Sequence, residues 1–150
     1  MAGLRVTAEN TAAVALAAAT AKTVLQLNAP ANQRLKLQRL GVFFDGASTT
    51  AVPVLVRLVV ATTAGTNTAL TLNKVVSSDS ETIQTTAGEN ATVEPTKTTL
   101  LDQWLVHPQQ GFDFTYAFGQ EKMIVGGGRV AIEITAPAIV NCRAKIDFEE

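Results

Sequence analysis

Hydrophobic and polar residues alternate with a period of two along most of the chain, a pattern that predicts half-buried β-strands. The alternation is clearest in the last third of the sequence, at Val130, Ile132 and Ile134 and then at Val140, Cys142, Ala144, Ile146 and Phe148. No stretch shows the 3.6-residue period of an amphipathic helix. The pattern therefore predicts an all-β chain.

Turn residues divide the alternating pattern into about eight strands. Strands are predicted near residues 23–27, 34–45, 53–62, 72–76, 98–107, 112–118, 130–135 and 140–149. Residues 77–97 are polar and predict a long excursion with one weak strand near Thr82–Thr85. About eight short strands in 150 residues fit an antiparallel two-sheet sandwich, and a jelly roll is the predicted topology.

Two of the predicted strands carry further detail. In residues 34–45, Leu35 and Leu37 share one face and Leu40, Val42 and Phe44 the other, so the alternation changes phase near Arg39. A β-bulge or a strand that crosses between sheets explains such a change. The strand ends at a turn predicted at Asp45–Gly46. In residues 53–62, the inner face is predicted to hold Val54, Val56, Leu58 and Val60.

Residues 1–20 are rich in alanine and nearly uncharged, and they predict an N-terminal arm ahead of a sandwich domain at 21–150. Alanine favours helix, whereas Val14 and Leu16 alternate as in a strand. A short helix and an extended arm both remain open, and we favour the extended arm. Its apolar side chains would be exposed in a monomer, so partner or oligomer contacts are expected at Leu4, Val6, Val14 and Leu16.

Composition and charge exclude several classes of function. Twelve basic and 13 acidic residues give a net charge of −1, which leaves no electrostatic signature for nucleic acid or an anionic membrane. No apolar run reaches the roughly 18 residues that span a bilayer. Thr11–Ala21 imitates the core of a signal peptide, but Glu9 precedes it and most of it is alanine. A cleaved signal is therefore not the expected interpretation.

The residues that carry catalytic chemistry are sparse. One cysteine and one histidine exclude a zinc site built from Cys and His and any internal disulfide. Cys142 is predicted to be a buried thiol and His107 a turn residue rather than a nucleophile and its base. Asp102 and Asp113 are the best candidates for a carboxylate pair. Because no motif supports a reaction, we expect no enzyme activity, no cofactor, no metal and no small-molecule substrate.

Two further motifs have a structural and a functional interpretation. Gly126–Arg129 (GGGR) precedes a strand and lacks the lysine and helix of a phosphate-binding loop, so a tight turn is expected. Trp104 and the alternating Phe112, Phe114, Tyr116 and Phe118 are expected to fill the sandwich core. An oligomer interface and a sugar-stacking platform are the alternatives.

The order of landmarks resembles the jelly-roll decoration, or cement, proteins of tailed bacteriophages. The features are the Ala/Thr-rich segment ALAAATAKTVLQLNAPANQRLKL, the strands LGVFFDGASTTAVPVLVRLVVATTAGTNTAL, the corner WLVHPQ and the closing VGGGRVAIEITAPAIVNCRAKIDFEE. The resemblance covers most of residues 14–150. It implies a non-enzymatic protein, made in the bacterial cytoplasm, that binds the major capsid protein outside the head as a homotrimer and stabilises the virion.

A carbohydrate- or receptor-binding β-sandwich module of a phage tail, a fibre or a secreted protein is the alternative function. Such a module is expected to expose an aromatic side chain to a ligand, whereas a decoration protein is expected to self-associate. The uncharged, threonine-rich composition, with 20 threonines, suits either a protein within a larger assembly or an ordinary β-rich domain.

Overall fold

The structure is a computed structural model that describes residues 3–45 and 52–150, so the turn predicted at Asp45–Gly46 lies partly outside it. The described residues form strands and no helix, which confirms the all-β prediction. The strands are β1 (Arg5–Glu9), β2 (Val14–Leu16), β3 (Ala21–Asn28), β4 (Leu35–Phe44), β5 (Val54–Ala61), β6 (Thr66–Leu70), β7 (Asn73–Lys74), β8 (Thr86–Val93), β9 (Lys97–Val106), β10 (Phe112–Thr115), β11 (Lys122–Ile124), β12 (Arg129–Thr135) and β13 (Val140–Glu149).

The strands form two antiparallel sheets that pack as a sandwich. The seven-stranded sheet has the order β10-β4-β13-β1-β7, with β11 also paired to β4 and β2 also paired to β13. The six-stranded sheet has the order β6-β8-β3-β12-β5-β9. β1 and β2 follow one another along one side of β13, and β10 and β11 do the same along β4. Each of these pairs therefore occupies a single strand position.

The core lies between the two sheets and is built from the alternating residues that the sequence pattern identified. In β13, Val140, Cys142, Ala144, Ile146 and Phe148 are all buried, and the residues between them are exposed or half-buried. β12 and β5 supply the facing layer. One prediction for β5 is wrong: Val54, Val56 and Leu58 belong to the core, but Val60 is only half-buried and lies outside the core cluster. The neighbouring Val59 is buried beside Arg57 and Glu133, away from that cluster.

The phase change in β4 is a β-bulge, one of the two outcomes predicted. Asp147 is opposite Arg39 and Phe148 is opposite Leu37, which leaves Gln38 as the extra residue. Because of this extra residue, the apolar groups before and after it point to the same core rather than to opposite faces. Leu37 and Leu40 are accordingly both about 1% exposed.

The N-terminal residues belong to the sandwich and do not form a projecting arm in the described part of the chain. β1 pairs with Lys145–Glu149 and β2 pairs with Val140–Cys142, so the segment is extended but held by its own chain. The expectation that Leu4, Val6, Val14 and Leu16 are exposed in a monomer is wrong, since their exposed fractions are 3% or less. The physical reason is that β13 has a free edge on this side, and pairing there covers the core.

A buried polar cluster fixes the break between β1 and β2. The Asn10 side chain donates hydrogen bonds to the Val24 carbonyl (3.0 Å) and to Glu89 (2.9 Å), and it accepts one from the Ala144 amide (2.7 Å). The Thr11 amide and hydroxyl also donate to Glu89. These bonds connect β13 of one sheet to β3 and β8 of the other. A buried side chain so fully hydrogen-bonded fixes the position of its segment.

The polar excursion contains a strand that the sequence pattern missed. β8 spans Thr86–Val93, whereas the weak strand predicted at Thr82–Thr85 is irregular. Gly88, Glu89 and Asn90 interrupt any alternation of apolar residues, so the signal for a strand is absent. Burial of Glu89 is possible here because Asn10 and Thr11 satisfy its carboxylate.

Replacing Leu16 by alanine is expected to lower the free energy of unfolding by about 2–5 kcal/mol, because the side chain is 1% exposed and its removal leaves a cavity. Ile139→Ala, at a position that is 77% exposed, serves as the control and is expected to change stability by less than about 0.5 kcal/mol. Chemical denaturation of both variants measures the difference. Equal stability of the two variants would contradict the assignment of β2 to the core.

Acid is expected to weaken the cluster around Glu89. Burial raises the pKa of this carboxyl, but the hydrogen bonds from Thr11 and Asn10 outweigh burial and hold the pKa below its ordinary value of 4.5. A pKa that is lower in the folded state adds stability above the unfolded value, and that stability is lost as the pH falls through the folded value.

At pH 7, Glu89→Gln is therefore expected to be less stable than the wild type by about 1–3 kcal/mol. Between pH 5 and pH 3, the free energy of unfolding of the variant is expected to fall by less than that of the wild type. Denaturation curves across this pH range, with the exposed Glu9→Gln as control, measure the effect. An unchanged pH dependence in Glu89→Gln would show that this carboxylate is not part of the acid transition.

Candidate interaction surface

An aromatic cluster closes one side of the sandwich. The Trp104 ring of β9 lies 5.1 Å from Phe112 and 5.4 Å from Phe114, both on β10. Phe114 meets the edge of Tyr116 at 5.0 Å and 84°. Aromatic rings in tilted or edge-to-face contact at these distances attract one another, so these contacts stabilise the cluster. The cluster therefore connects the two sheets at the place where each sheet ends.

The sheet edges beside this cluster are not covered by other described strands. β9 is the last strand of the six-stranded sheet and pairs only with β5, while β10 and β11 pair only with β4 at the end of the seven-stranded sheet. We call the face formed by the outer edges of β9, β10 and β11 the open side. Unpaired backbone groups along a strand edge can pair with another chain.

Several apolar side chains are exposed on or beside the open side. On β9, Leu105 is 72% exposed and Leu100 is 46% exposed. Near β11, Phe118 is 95% exposed and Met123 is 54% exposed. Trp104, also on β9, is half-buried and packs against the core. Leu100 lies beside Arg57 and Val59 on the outer face of the six-stranded sheet, whereas Phe118 lies beside Gln38 and Asp147 on that of the seven-stranded sheet. A partner in contact with either group would bury apolar area.

The charges on the open side are paired within the chain. Asp102 lies 3.3 Å from Lys122 and Lys36 lies 3.3 Å from Glu121, while Arg39 forms a two-point contact with Asp113. Lys97 contacts Glu94 at 2.9 Å and also contacts Glu133. Surface pairs of this kind add little stability, but each of these charges has a partner of opposite sign within the chain.

Tyr116 anchors the cluster to the β9 edge. Its hydroxyl donates a 2.7 Å hydrogen bond to Asp102, and burial together with this carboxylate raises the pKa of the phenol. The group stays protonated at neutral pH and remains a hydrogen-bond donor. It therefore fixes the spacing between β9 and the chain that follows β10.

The prediction that the alternating aromatic residues and Trp104 fill the core is confirmed for all of them except Phe118. Tyr116 is buried, and Trp104, Phe112 and Phe114 are half-buried and pack against the core. Phe118 is the exception, because β10 ends at Thr115 and a turn closed by the Gln120 amide and the Ala117 carbonyl follows. The alternation continues in the sequence after the strand has ended, so sequence reasoning assigned Phe118 wrongly.

A shallow cavity lies beside Phe118 on the outer face of the seven-stranded sheet. It has a volume of about 420 Å³, and its lining includes Gln38, Arg39 and Asp147. The Lys36 ammonium lies 5.5 Å from the centre of the Phe118 ring. An exposed aromatic ring next to polar side chains is an arrangement that sugar-binding sites use.

The residues considered for catalysis have other partners. Asp102 is bound to Tyr116 and Lys122, whereas Asp113 is bound to Arg39, whose guanidinium lowers the pKa of that carboxyl. Burial raises the pKa of the Cys142 thiol to about 12. The exposed His107 ring accepts a hydrogen bond from the Gln109 amide at 3.2 Å. Neither predicted pair is thus assembled as a reactive unit.

The glycine motif is a turn, as expected. Gly127 has a φ of +75°, and its amide donates a 3.0 Å hydrogen bond to the Pro30 carbonyl. The Gly128 amide donates to the Val125 carbonyl at 2.9 Å. The motif thus connects β11 to β12, with the Gly127 and Gly128 amides bonded to the protein. Glycine adopts the φ of Gly127 without strain.

Comparison with known proteins adds no relative: no family model, curated protein or solved structure matches this chain. Residues 3–45 and 52–150 contain no group of three or more His, Cys, Asp or Glu placed to hold a metal ion. In that same part of the chain, no helix is long and apolar enough to cross a membrane.

Cys142 is expected to resist thiol reagents while the protein is folded. The thiolate is the reactive form, and a pKa of about 12 leaves almost none of it at pH 8. The side chain is also only 1% exposed. Titration with Ellman's reagent is expected to show no free thiol in buffer and one per chain in guanidinium chloride. Release of one equivalent in buffer would contradict the burial of β13.

Proposed function

We propose that this protein is a non-enzymatic virion protein that binds the outside of a phage capsid as a homo-oligomer and stabilises it. The observation that carries the proposal is the open side, where two free strand edges lie beside exposed apolar side chains and beside charges that are paired within the chain. A face of this composition favours association through buried area and strand pairing. The partner would be the major capsid protein, on the exterior of the virion, after synthesis in the bacterial cytoplasm.

The strand order supports the jelly-roll part of the proposal. With β1 and β2 counted as one strand, and β10 and β11 as another, one sheet has the order β10/β11-β4-β13-β1/β2, extended beyond β1 by the two-residue β7. The other has the order β3-β12-β5-β9, extended beyond β3 by the inserted β8 and β6. Eight strands divided between two sheets in this way are what a jelly roll requires.

The contacts proposed with partners differ from those first expected. Leu4, Val6, Val14 and Leu16 pack in the core of their own chain and are not offered to a neighbour. The open side presents apolar residues at the opposite end of each sheet. Association through this side leaves the N-terminal strands in place.

A carbohydrate-binding function is the second candidate. The cavity beside the exposed Phe118 favours it, because the aromatic ring and the polar side chains of Gln38, Arg39 and Asp147 lie on one surface. A sugar could stack on the ring and hydrogen-bond to these groups. The neighbouring ion pair between Arg39 and Asp113 would hold the site in place.

Co-sedimentation with empty heads, assembled from the major capsid protein of the same genome, tests the capsid proposal. The full chain is expected to pellet with heads at a fixed number of copies per capsid and to raise their resistance to heat. Failure to pellet, combined with glycan-array binding that Phe118→Ser abolishes, would overturn the capsid proposal in favour of the carbohydrate module. Serum albumin serves as the matched control for non-specific pelleting.

A further inference from the structure

We infer that the cavity beside Phe118 binds an acidic saccharide, with a pyranose ring against the Phe118 side chain and a sugar carboxylate against the Arg5 guanidinium. The inference rests on the carbohydrate-binding candidate and deepens it, because it names the class of sugar. It does not depend on capsid binding, which the co-sedimentation experiment tests separately.

The Phe118 ring is exposed to solvent and is held beside the cavity by its neighbours. It is 95% exposed, and the Lys36 ammonium lies 5.5 Å from its centre. Lys36 is in turn 3.3 Å from Glu121, whose carboxylate also accepts a 2.6 Å hydrogen bond from the Gly119 amide. Because Lys36 occupies one side of the ring, the other face is left for a ligand. A pyranose ring presents a face of C–H groups that can stack there.

Hydrogen-bonding side chains line the cavity next to this ring. Asp147 accepts a 2.7 Å hydrogen bond from the Thr7 hydroxyl, and the Gln38 amide donates a 3.1 Å bond to Glu149. The exposed Thr115 adds a hydroxyl to the same lining. Groups of these types can bond to the hydroxyls at the rim of a sugar. The volume, about 420 Å³, is also in the range of small-ligand sites, roughly 300–1,000 Å³.

Arg5 is the one charged residue of the cavity lining that has no ion pair within the described chain. Its Nε donates a 3.3 Å hydrogen bond to the side-chain oxygen of Gln38. The terminal N–H groups of the guanidinium have no acceptor among residues 3–45 and 52–150. The other charged residues of the lining each contact a residue of opposite charge: Arg39 with Asp113, Asp147 with Lys145, and Glu121 with Lys36.

Glu149 does not occupy the Arg5 guanidinium, although the two residues are opposite each other in the pairing of β1 with β13. Its carboxylate accepts hydrogen bonds from the Gly3 amide at 2.9 Å and from Gln38 at 3.1 Å. Gln38 thus lies between them, since it accepts from Arg5 and donates to Glu149. The Gln38 contact orients the guanidinium and leaves its terminal donors for a ligand.

The two features together select a carboxylated sugar. The planar fork of a guanidinium binds a carboxylate through two parallel hydrogen bonds. A uronic acid carries such a carboxylate directly on a pyranose ring. It can therefore bond to Arg5 while its C–H face stacks on Phe118. A neutral sugar would leave the Arg5 donors unused.

Titration of the isotope-labelled full chain, followed by the NMR shifts of its amides, tests the inference. The probes are methyl β-D-glucuronide, the uncharged methyl β-D-glucoside, and acetate, which has the carboxylate without the ring. The glucuronide is expected to shift the amides of Arg5, Gln38 and Phe118. It is expected to bind at least about tenfold more tightly than either other probe, because only it makes both the ion pair and the stacking contact.

Three variants assign the two contacts. Arg5→Gln is expected to lower the affinity for the glucuronide to that for the glucoside. Phe118→Ser is expected to weaken both sugars at least about tenfold. Arg34→Gln, at an exposed arginine outside the cavity lining, is the matched control and is expected to bind like the wild type. Because Arg5 and Phe118 are both exposed, their variants are expected to keep the amide spectrum of the folded chain.

The outcomes separate the class of sugar from the candidate function. Equal affinity for glucuronide and glucoside, lost in Phe118→Ser, would overturn the acidic class but not the carbohydrate candidate. Equal affinity for acetate and glucuronide would overturn the stacking contact. Absence of shifts at the cavity with both sugars, at their highest soluble concentrations, would overturn the inference and the carbohydrate candidate together. None of these results changes what pelleting with heads shows about capsid binding.

Discussion

The architecture depends on β13, because this strand lies in the middle of its sheet, pairs with other strands along both edges and buries one face in the core. β4 pairs along one edge of β13, and β1 and β2 pair along the other, so the first and last segments of the chain are adjacent. Asn10 fixes the break between β1 and β2 by bonding to both sheets. The N-terminal residues are consequently committed to the fold and are not available as a free arm.

Because β1 and β2 are paired within the fold, the surfaces left for contact with a partner lie elsewhere on the sandwich. One side of the sandwich ends in short polar strands, and the other ends in the long β9 edge and the aromatic cluster around Trp104. Internal ion pairs such as Asp102–Lys122 pair charges on that side without covering its apolar residues. The same features that close the core at this edge therefore create a surface suited to association.

Much of the fold could be predicted from the sequence, because the alternation in β12 and β13 and the phase change in β4 are local consequences of burial on one face. β8 could not be predicted, since the burial of Glu89 depends on Asn10, which is 79 positions earlier in the chain. The open side could not be predicted from the sequence either. Whether an alternating residue such as Leu105 or Phe118 faces the core or the solvent depends on which strand ends a sheet and where a strand stops, and neither is encoded locally.

Hydrogen–deuterium exchange at two protein concentrations tests most directly the proposal that the protein self-associates through its open side. If it does, amides of β9 and β10 are protected in concentrated samples and lose that protection on dilution below the dissociation constant, while β6 exchanges at one rate throughout. Exchange in β9 that is independent of concentration, in a sample that remains oligomeric, would contradict the account and move the contact to another face.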